Sequence, residues 1–212
     1  MLGFKTFKFG NREYAFIGRG IYLKIFYHNL LGGFFSSKEE AKSSNSQYKY
    51  SILTEINDEF RDKDHKFTFA LIYPEIKLYN IWQQSNNPLS ENKKWTTNNY
   101  YYVEGYQNIT ILAKRNEDYC RWGGLLLSHS ESLIDGCPGG QEWFYTIGYV
   151  GRGWGPTEQN FLIPSNNDGV NIVSLWVKVI DDKYKIILSC QVNNYISFVY
   201  WISYLVFVMT SE

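Results

Sequence analysis

VNIVSLWVKV, residues Val170 to Val179, decides the class of this chain. Val173, Leu175, Val177 and Val179 fall on one side of an extended backbone, and Ser174, Trp176 and Lys178 on the other. A period of two is the mark of a β-strand, because successive side chains leave a pleated chain on opposite faces. FTFALIY, Phe67 to Tyr73, repeats the pattern. Phe67, Phe69, Leu71 and Tyr73 alternate with Thr68, Ala70 and Ile72, as in a strand buried on at least one face. Pro74 ends it, having no N–H to give to a ladder.

Outward from these two runs the same rhythm recurs. FKTFKFGNREYAFIG alternates around Gly10–Asn11, a two-residue hairpin turn. GIYLKIFYHN reads as a further strand, and YYYVEGYQNITILA as two short strands around Glu104–Gly105. WGGLLLS and EWFYTIG add two more, with a broad turn between them. KLYNIWQQSNNP leads into a long polar connection, Ser85 to Asn99. SSKEEAKSSNSQ, Ser36 to Gln47, is a loop or a short exposed helix. The one clear helical spacing is in YKYSILTEINDEF, where Tyr48, Ile52, Ile56 and Phe60 stand four apart. Sustained βαβ alternation is lacking, which argues against a doubly wound fold.

The expected fold is therefore mainly β. It is an antiparallel β-sandwich of jelly-roll or lectin type, with one short helix near Tyr48–Phe60. One β-rich domain is expected over residues 1–180, followed by a tail at 181–212. The expected core comprises Phe67, Phe69, Leu71, Ile109, Ile111, Leu125, Leu127, Phe144, Ile147, Val173, Leu175 and Val177.

Composition supports a core and excludes little else. The 212 residues are 44% hydrophobic, enough for one sizeable domain. Lys plus Arg and Asp plus Glu each number 21, so net charge gives no ground for nucleic-acid binding. Cys120, Cys137 and Cys190 are too few for a disulfide scaffold and read as reduced thiols in a cytosolic setting, with a Cys120–Cys137 bridge as the alternative. The opening MLGFKTFKFGNREYAF has no apolar run suited to a signal peptide. At the other end, Ile186 to Ser211 carries no charge. It reads either as a hairpin turning at Asn193–Asn194 or as a membrane-associated segment through Tyr195 to Met209. The expected location is cytoplasmic or membrane-associated.

The densest collection of reactive residues is RWGGLLLSHSESLIDGCPGGQEWFYTIGY, Arg121 to Tyr149. His129-Ser130-Glu131 followed by Cys137-Pro138 has part of the zinc-deaminase pattern. The second cysteine at the required spacing is missing, and two ligands do not hold a catalytic zinc. No metal or cofactor is expected. Glu131, Asp135 and Glu142 are candidates for the carboxylate pair of a glycosidase, although linear spacing says nothing about the separation that matters. The competing reading is that Asp135-Gly136 makes a tight turn and the glutamates are solvated. Ser128 and Ser130 flank His129 without a Gly-x-Ser-x-Gly elbow. GYVGRGWG, Gly148 to Gly155, lacks the dinucleotide-binding order and reads as a loop.

A sugar site pairs aromatic faces, which stack on C–H groups, with amides, which bind hydroxyls. Trp82, Gln83, Gln84, Asn86 and Asn87 have that chemistry, and Trp143, Arg152 and Trp154 extend it; the competing reading is core tryptophans beside capped turns. Asn108-Ile109-Thr110 is a glycosylation sequon set inside an expected strand and is discounted.

In order, LKIFYHN, YKYSILTEINDEF, FTFALIYPE, YNIWQQSNNP, VEGYQNI, WGGLLLS, LIDG, WFYTIG, IP and VSLWVKV form a pattern over Ile25 to Val179. It resembles a domain found in large sets of uncharacterised protist proteins, especially those of trichomonads. That resemblance brings no catalytic residues with it. LLGGFFSS, DKDHKFTFAL and NFLIPSNNDGVNIVSLWVKV also bear a fainter similarity to segments of TLDc domains. Those are β-sandwiches associated with oxidation resistance and with binding the vacuolar proton pump. Both resemblances imply a β-rich, non-enzymatic domain. The leading expectation is a non-catalytic recognition module that binds a protein or glycan, not nucleic acid, through loops at one sandwich end. A glycoside hydrolase-like enzyme using the carboxylates above is one alternative, and a membrane-tethered scaffold or TLDc-like interaction domain is another.

Overall fold

A computed structural model of the chain describes residues 4–90, 94–97, 100–111, 123–128, 132–136, 147–150 and 170–179. Its strands are β1 (Lys5–Phe9), β2 (Arg12–Ile17), β3 (Gly20–Asn29), β4 (Ser43–Asn45), β5 (Lys49–Ile52), β6 (Phe67–Tyr73) and β7 (Leu78–Gln84). They continue as β8 (Lys94–Thr97), β9 (Tyr100–Val103), β10 (Gln107–Ile111), β11 (Leu126–Leu127), β12 (Ser132–Asp135), β13 (Ile147–Tyr149) and β14 (Ile172–Lys178). The helix α1 spans Lys38–Lys42. All pairings of these strands are antiparallel.

Nine strands form one sheet in the order β1-β2-β3-β14-β6-β7-β10, with β5 also on β3 and β4 on β5. A second sheet runs β11-β12-β13, and β8 pairs with β9. One face of the large sheet and the inner face of the small one share a single apolar cluster. Leu23, Phe26, Phe69, Leu71, Val173, Leu175 and Val177 meet Leu125, Leu133, Ile134 and Ile147 there. This is the two-layer arrangement of a β-sandwich. The opposite face of the large sheet is apolar too, with Ala15, Ile17, Tyr22, Ala70, Ile81 and Trp176 packed together. The Trp176 indole satisfies its N–H by donating to Ser174 Oγ at 2.9 Å, which lets so large a polar-tipped ring lie buried.

β3 is the spine of the large sheet. β14 runs along one of its edges, pairing from Tyr22 to Asn29. The other edge is shared: β2 takes Gly20 to Leu23, and β5 takes Phe26 to His28. Between them lies a bulge. Leu175 faces Phe26 and the next residue, Trp176, faces Lys24, so Ile25 has no partner on β14. An extra residue bends a strand and switches its alternation. The core-facing set therefore passes from Ile21 and Leu23 to Phe26 and His28, and Ile25 is buried as well.

The open edge of β3 explains why the expected helix at Tyr48–Phe60 does not form. The edge of β3 beyond Leu23 offers unpaired backbone groups, and Lys49–Ile52 take them as β5. Ser51 is locked by donating to the Lys42 carbonyl at 2.9 Å. The chain then makes two separate 3-10 turns, Leu53–Glu55 and Asp58–Phe60, the second begun afresh by Asn57, whose side chain accepts from Glu59 N at 2.9 Å. A helical pattern this short is marginal alone, and sheet pairing overrides it. The helix forms instead at α1, inside the Ser36–Gln47 segment. Ser37 caps it by accepting from Glu40 N at 3.1 Å, with Glu39 and Glu40 in the first turn and Lys42 in the last. Ala41 packs against the small sheet at Gly148, where a Cβ would come within 2.9 Å of Ala41 Cβ and 2.7 Å of Leu133 Cβ.

Three further expectations change. KLYNIWQQ is mostly strand, since β7 pairs with β6 over its whole length, and β8 falls inside the expected polar connection. The broad turn between WGGLLLS and EWFYTIG contains β12, in which Asp135 pairs with Leu126; the residues after Gly136, on which the expected tight turn depends, lie outside the described residues. Ile109 is 50% exposed instead of buried, because β10 is an edge strand and its register slips between Asn108 and Thr110. Leu127 is half-buried. Phe144 and residues 180–212, including the Tyr195–Met209 segment, lie outside the described residues, as do Cys120, Cys137 and Cys190. Among the described residues, no helix is long and apolar enough to cross a membrane.

Leu175 stands at the centre of the shared cluster. Leu175→Ala is expected to lower the unfolding free energy by about 2–5 kcal/mol in urea denaturation, through lost burial and the cavity left behind. His28 is buried against Phe35, with ring centroids 4.6 Å apart, and its Nε2 lies 3.0 Å from the Gly33 carbonyl. Burial holds its pKa below the ordinary 6.5; the Gly33 carbonyl and Glu40 oppose this, and Lys49 adds to it. The unfolded chain thus takes up a proton that the fold refuses. Stability is expected to fall as pH drops below 6.5, and His28→Gln should flatten that slope in melts across the range.

Candidate functional site

The fork at Ile25 opens a cleft on the sheet face opposite the sandwich core. The β1–β2 hairpin, turning at Gly10–Asn11, makes one wall, and the β4–β5 hairpin, turning through Ser46–Tyr48, makes the other. β3 is the floor. The cleft has a volume of about 430 Å³. Its β1–β2 wall presents Lys8, Asn11, Arg12 and Glu13, and its β4–β5 wall presents Asn45, Ser46, Gln47 and Tyr50. Lys24 and Tyr27 rise from the floor.

Two cross-strand rows build these surfaces. In one, Lys8 faces Glu13 across the hairpin, and Lys24 faces Trp176 on β14. Lys24 donates to Glu13 Oε2 at 2.6 Å, and its ammonium lies 4.9 Å from the Trp176 ring centre and 5.2 Å from that of Tyr27. In the other row, Tyr27 faces Tyr50, and Tyr50 faces Asn45. The pairing is a matter of register: residues directly opposite on antiparallel strands point to the same face. Burial raises the Tyr50 pKa, against the pull of Arg12, so its hydroxyl stays protonated and able both to donate and to accept at neutral pH. Arg12 forms an ion pair with Glu55, which follows β5 on the 3-10 turn.

The residues singled out from sequence lie elsewhere. Trp82 is 0% exposed in the main core, and its Nε1 donates to Gln84 Oε1 at 2.7 Å. Gln84, also 0% exposed, accepts from Leu125 N at 3.0 Å and donates to the Leu125 carbonyl at 2.9 Å and to the Asn86 carbonyl at 2.9 Å. It is a bracket joining the two sheets. Its fit depends on Gly124, which has φ +93° and leaves no room for a Cβ beside Val103 and Gln84. Trp82 and Gln84 thus pack the interior instead of walling an exposed sugar site, because β7 is central in the sheet, between β6 and β10. Gln83 points to the other face and donates to Asp62 at 2.7 Å and Thr68 at 3.2 Å. Asn86 is half-buried, and Asn87 donates to the Ile56 carbonyl at 3.0 Å. Asp135 is half-buried at the end of β12. Glu131, Glu142, Trp143, Arg152 and Trp154 lie outside the described residues.

The cleft residues carry the same aromatic-and-amide signature that marks Trp82–Asn87. It is present in FGNRE (Phe9–Glu13) and SNSQYKY (Ser44–Tyr50), where the sequence pattern indicates only turns, a loop and the start of a helix. What linear order does not show is that a fork in the sheet brings them to one place. Among the described residues, no group of His, Cys, Asp and Glu is arranged to hold a metal ion. Comparison with protein-family models, with curated proteins and with solved structures finds no match.

The bracket role of Gln84 has a measurable consequence. Gln84→Leu keeps the volume but leaves the Leu125 N–H and C=O and the Trp82 N–H without this partner. It is expected to cost on the order of 3 kcal/mol in chemical denaturation, whereas a ligand-contacting surface glutamine would cost almost nothing.

Proposed function

We propose that this protein is a non-catalytic recognition module that binds a glycan in the cleft between its two edge hairpins. One observation carries the reading. Two tyrosines in register, Tyr27 and Tyr50, share a cleft with the amides of Asn11, Asn45 and Gln47 and the hydroxyl of Ser46. The rings offer flat, partly apolar surfaces with a polar tip, suited to the C–H face of a sugar. The amides each offer both donors and an acceptor, which is what ring hydroxyls require.

Size favours a glycan over a protein partner at this place. A volume of about 430 Å³ falls in the range of small-ligand pockets, roughly 300–1,000 Å³. A stable protein interface needs about 800 Å² from each partner, far more than one such cleft provides. Tyr27, Asn45 and Tyr50 stand on strands, and Asn11, Ser46 and Gln47 on the short turns that close the two hairpins anchored to β3. That limits the ordering cost of binding.

The test is a glycan array with the folded chain, followed by calorimetry on the best ligand. Tyr50→Ala and Asn45→Ala are each expected to weaken that ligand by about tenfold or more, the loss of one stacked ring or one amide pair. Failure of the folded protein to bind any glycan at millimolar concentration counts against the proposal.

A further inference from the structure

Resting on the glycan reading, we infer that the ligand is an acidic sugar, and that its carboxylate takes the place on Arg12 now held by Glu55. The cleft is lined by three cationic side chains, Lys8, Arg12 and Lys24, and by one anionic one, Glu13. The three cations are not equivalent. Lys24 is committed: its side chain is 14% exposed, Glu13 holds its ammonium, and the Tyr27 and Trp176 rings lie close to it. Lys8 is exposed and has no ion pair among the described residues. Arg12 is paired, but in a form that exchanges readily.

Glu55 belongs to a different element from Arg12 and does not line the cleft. The side chains are 39% and 47% exposed, so water screens their attraction and the pair contributes little to holding either in place. The contact joins one guanidinium nitrogen to one carboxylate oxygen. A guanidinium can present a two-pronged fork to a carboxylate, so this pairing leaves half of that recognition unused. A ligand carboxylate that engages both prongs, with Lys8 on the same wall, outcompetes it.

The two walls then have separate tasks. Cations are confined to the β1–β2 wall and the floor, while the β4–β5 wall offers the neutral groups of Asn45, Ser46, Gln47 and Tyr50. A uronic-acid-type unit fits this division. Its acid group meets Arg12 and Lys8, one ring face lies on a tyrosine, and its hydroxyls face the amides. Glu55 is the internal counter-ion of Arg12, exchanged for the ligand carboxylate on binding.

Calorimetry on the full chain tests this with four probes: a galacturonic-acid trimer, its neutral methyl ester, a sulfated neutral trimer and an oligoglutamate peptide. The acid trimer is expected to bind about tenfold tighter than its ester, with an affinity that falls as salt rises. Arg12→Gln should bring acid and ester within about twofold of each other, and Arg12→Lys, which keeps the charge but not the fork, should fall between. Glu55→Gln should tighten the acid trimer about threefold or more and leave the ester unchanged. Equal binding of acid and ester by the wild type overturns the acid assignment and leaves the glycan reading standing. Preference for the sulfated trimer overturns the carboxylate assignment. Preference for the peptide over every sugar, or no binding of any sugar by folded protein, overturns both.

Discussion

One unpaired residue, Ile25, organises this molecule. The ladder with β2 stops at Leu23, close to where β2 turns away at Gly10–Asn11, and β5 begins its own ladder on the same edge at Phe26, with the bulge between the two. The bulge lies between the two hairpins, and their separation is the cleft. The same residue changes which side chains face the core. Bulges persist where bending a strand serves packing or re-aims side chains, and here it does both.

The sandwich holds this edge in place from behind. β14 lies along β3 across the bulge and is flanked on its other side by β6, so the spine is paired along both edges and packed against the core. The two sheets are tied by apolar packing and by the Gln84 bracket, which satisfies both backbone groups of Leu125. A buried amide with all its groups met adds direction to a core that apolar contact alone leaves free to slide. The hairpins at the front can then diverge without weakening the layer behind them.

Much of the large sheet was legible in the sequence. GIYLKIFYHN, FTFALIY and the Gly10–Asn11 hairpin appear in the fold as read, because alternation and a two-residue turn are local properties. For Trp82 and Gln84 the sugar-wall reading fails and the core reading holds, for an equally physical reason. An aromatic beside amides has the same composition whether the strand is at an edge or in the middle of a sheet. Only the neighbours β6 and β10 make β7 interior. The Tyr48–Phe60 segment failed as a helix because an available sheet edge outweighs a four-residue period over so short a stretch.

The sequence by itself determined that this chain forms antiparallel strands with an apolar interior, since side-chain period and turn chemistry act within a few residues. The tertiary structure alone decided which edge each strand joins, where the alternation breaks, and which polar residues meet across the fork. Those outcomes depend on contacts between segments far apart in the chain, such as Tyr14 and Tyr50 on one edge and Val173 and Leu175 on the other, all meeting at β3. No local pattern encodes the competition for that edge, because the free energy that settles it exists only once the sheet is assembled.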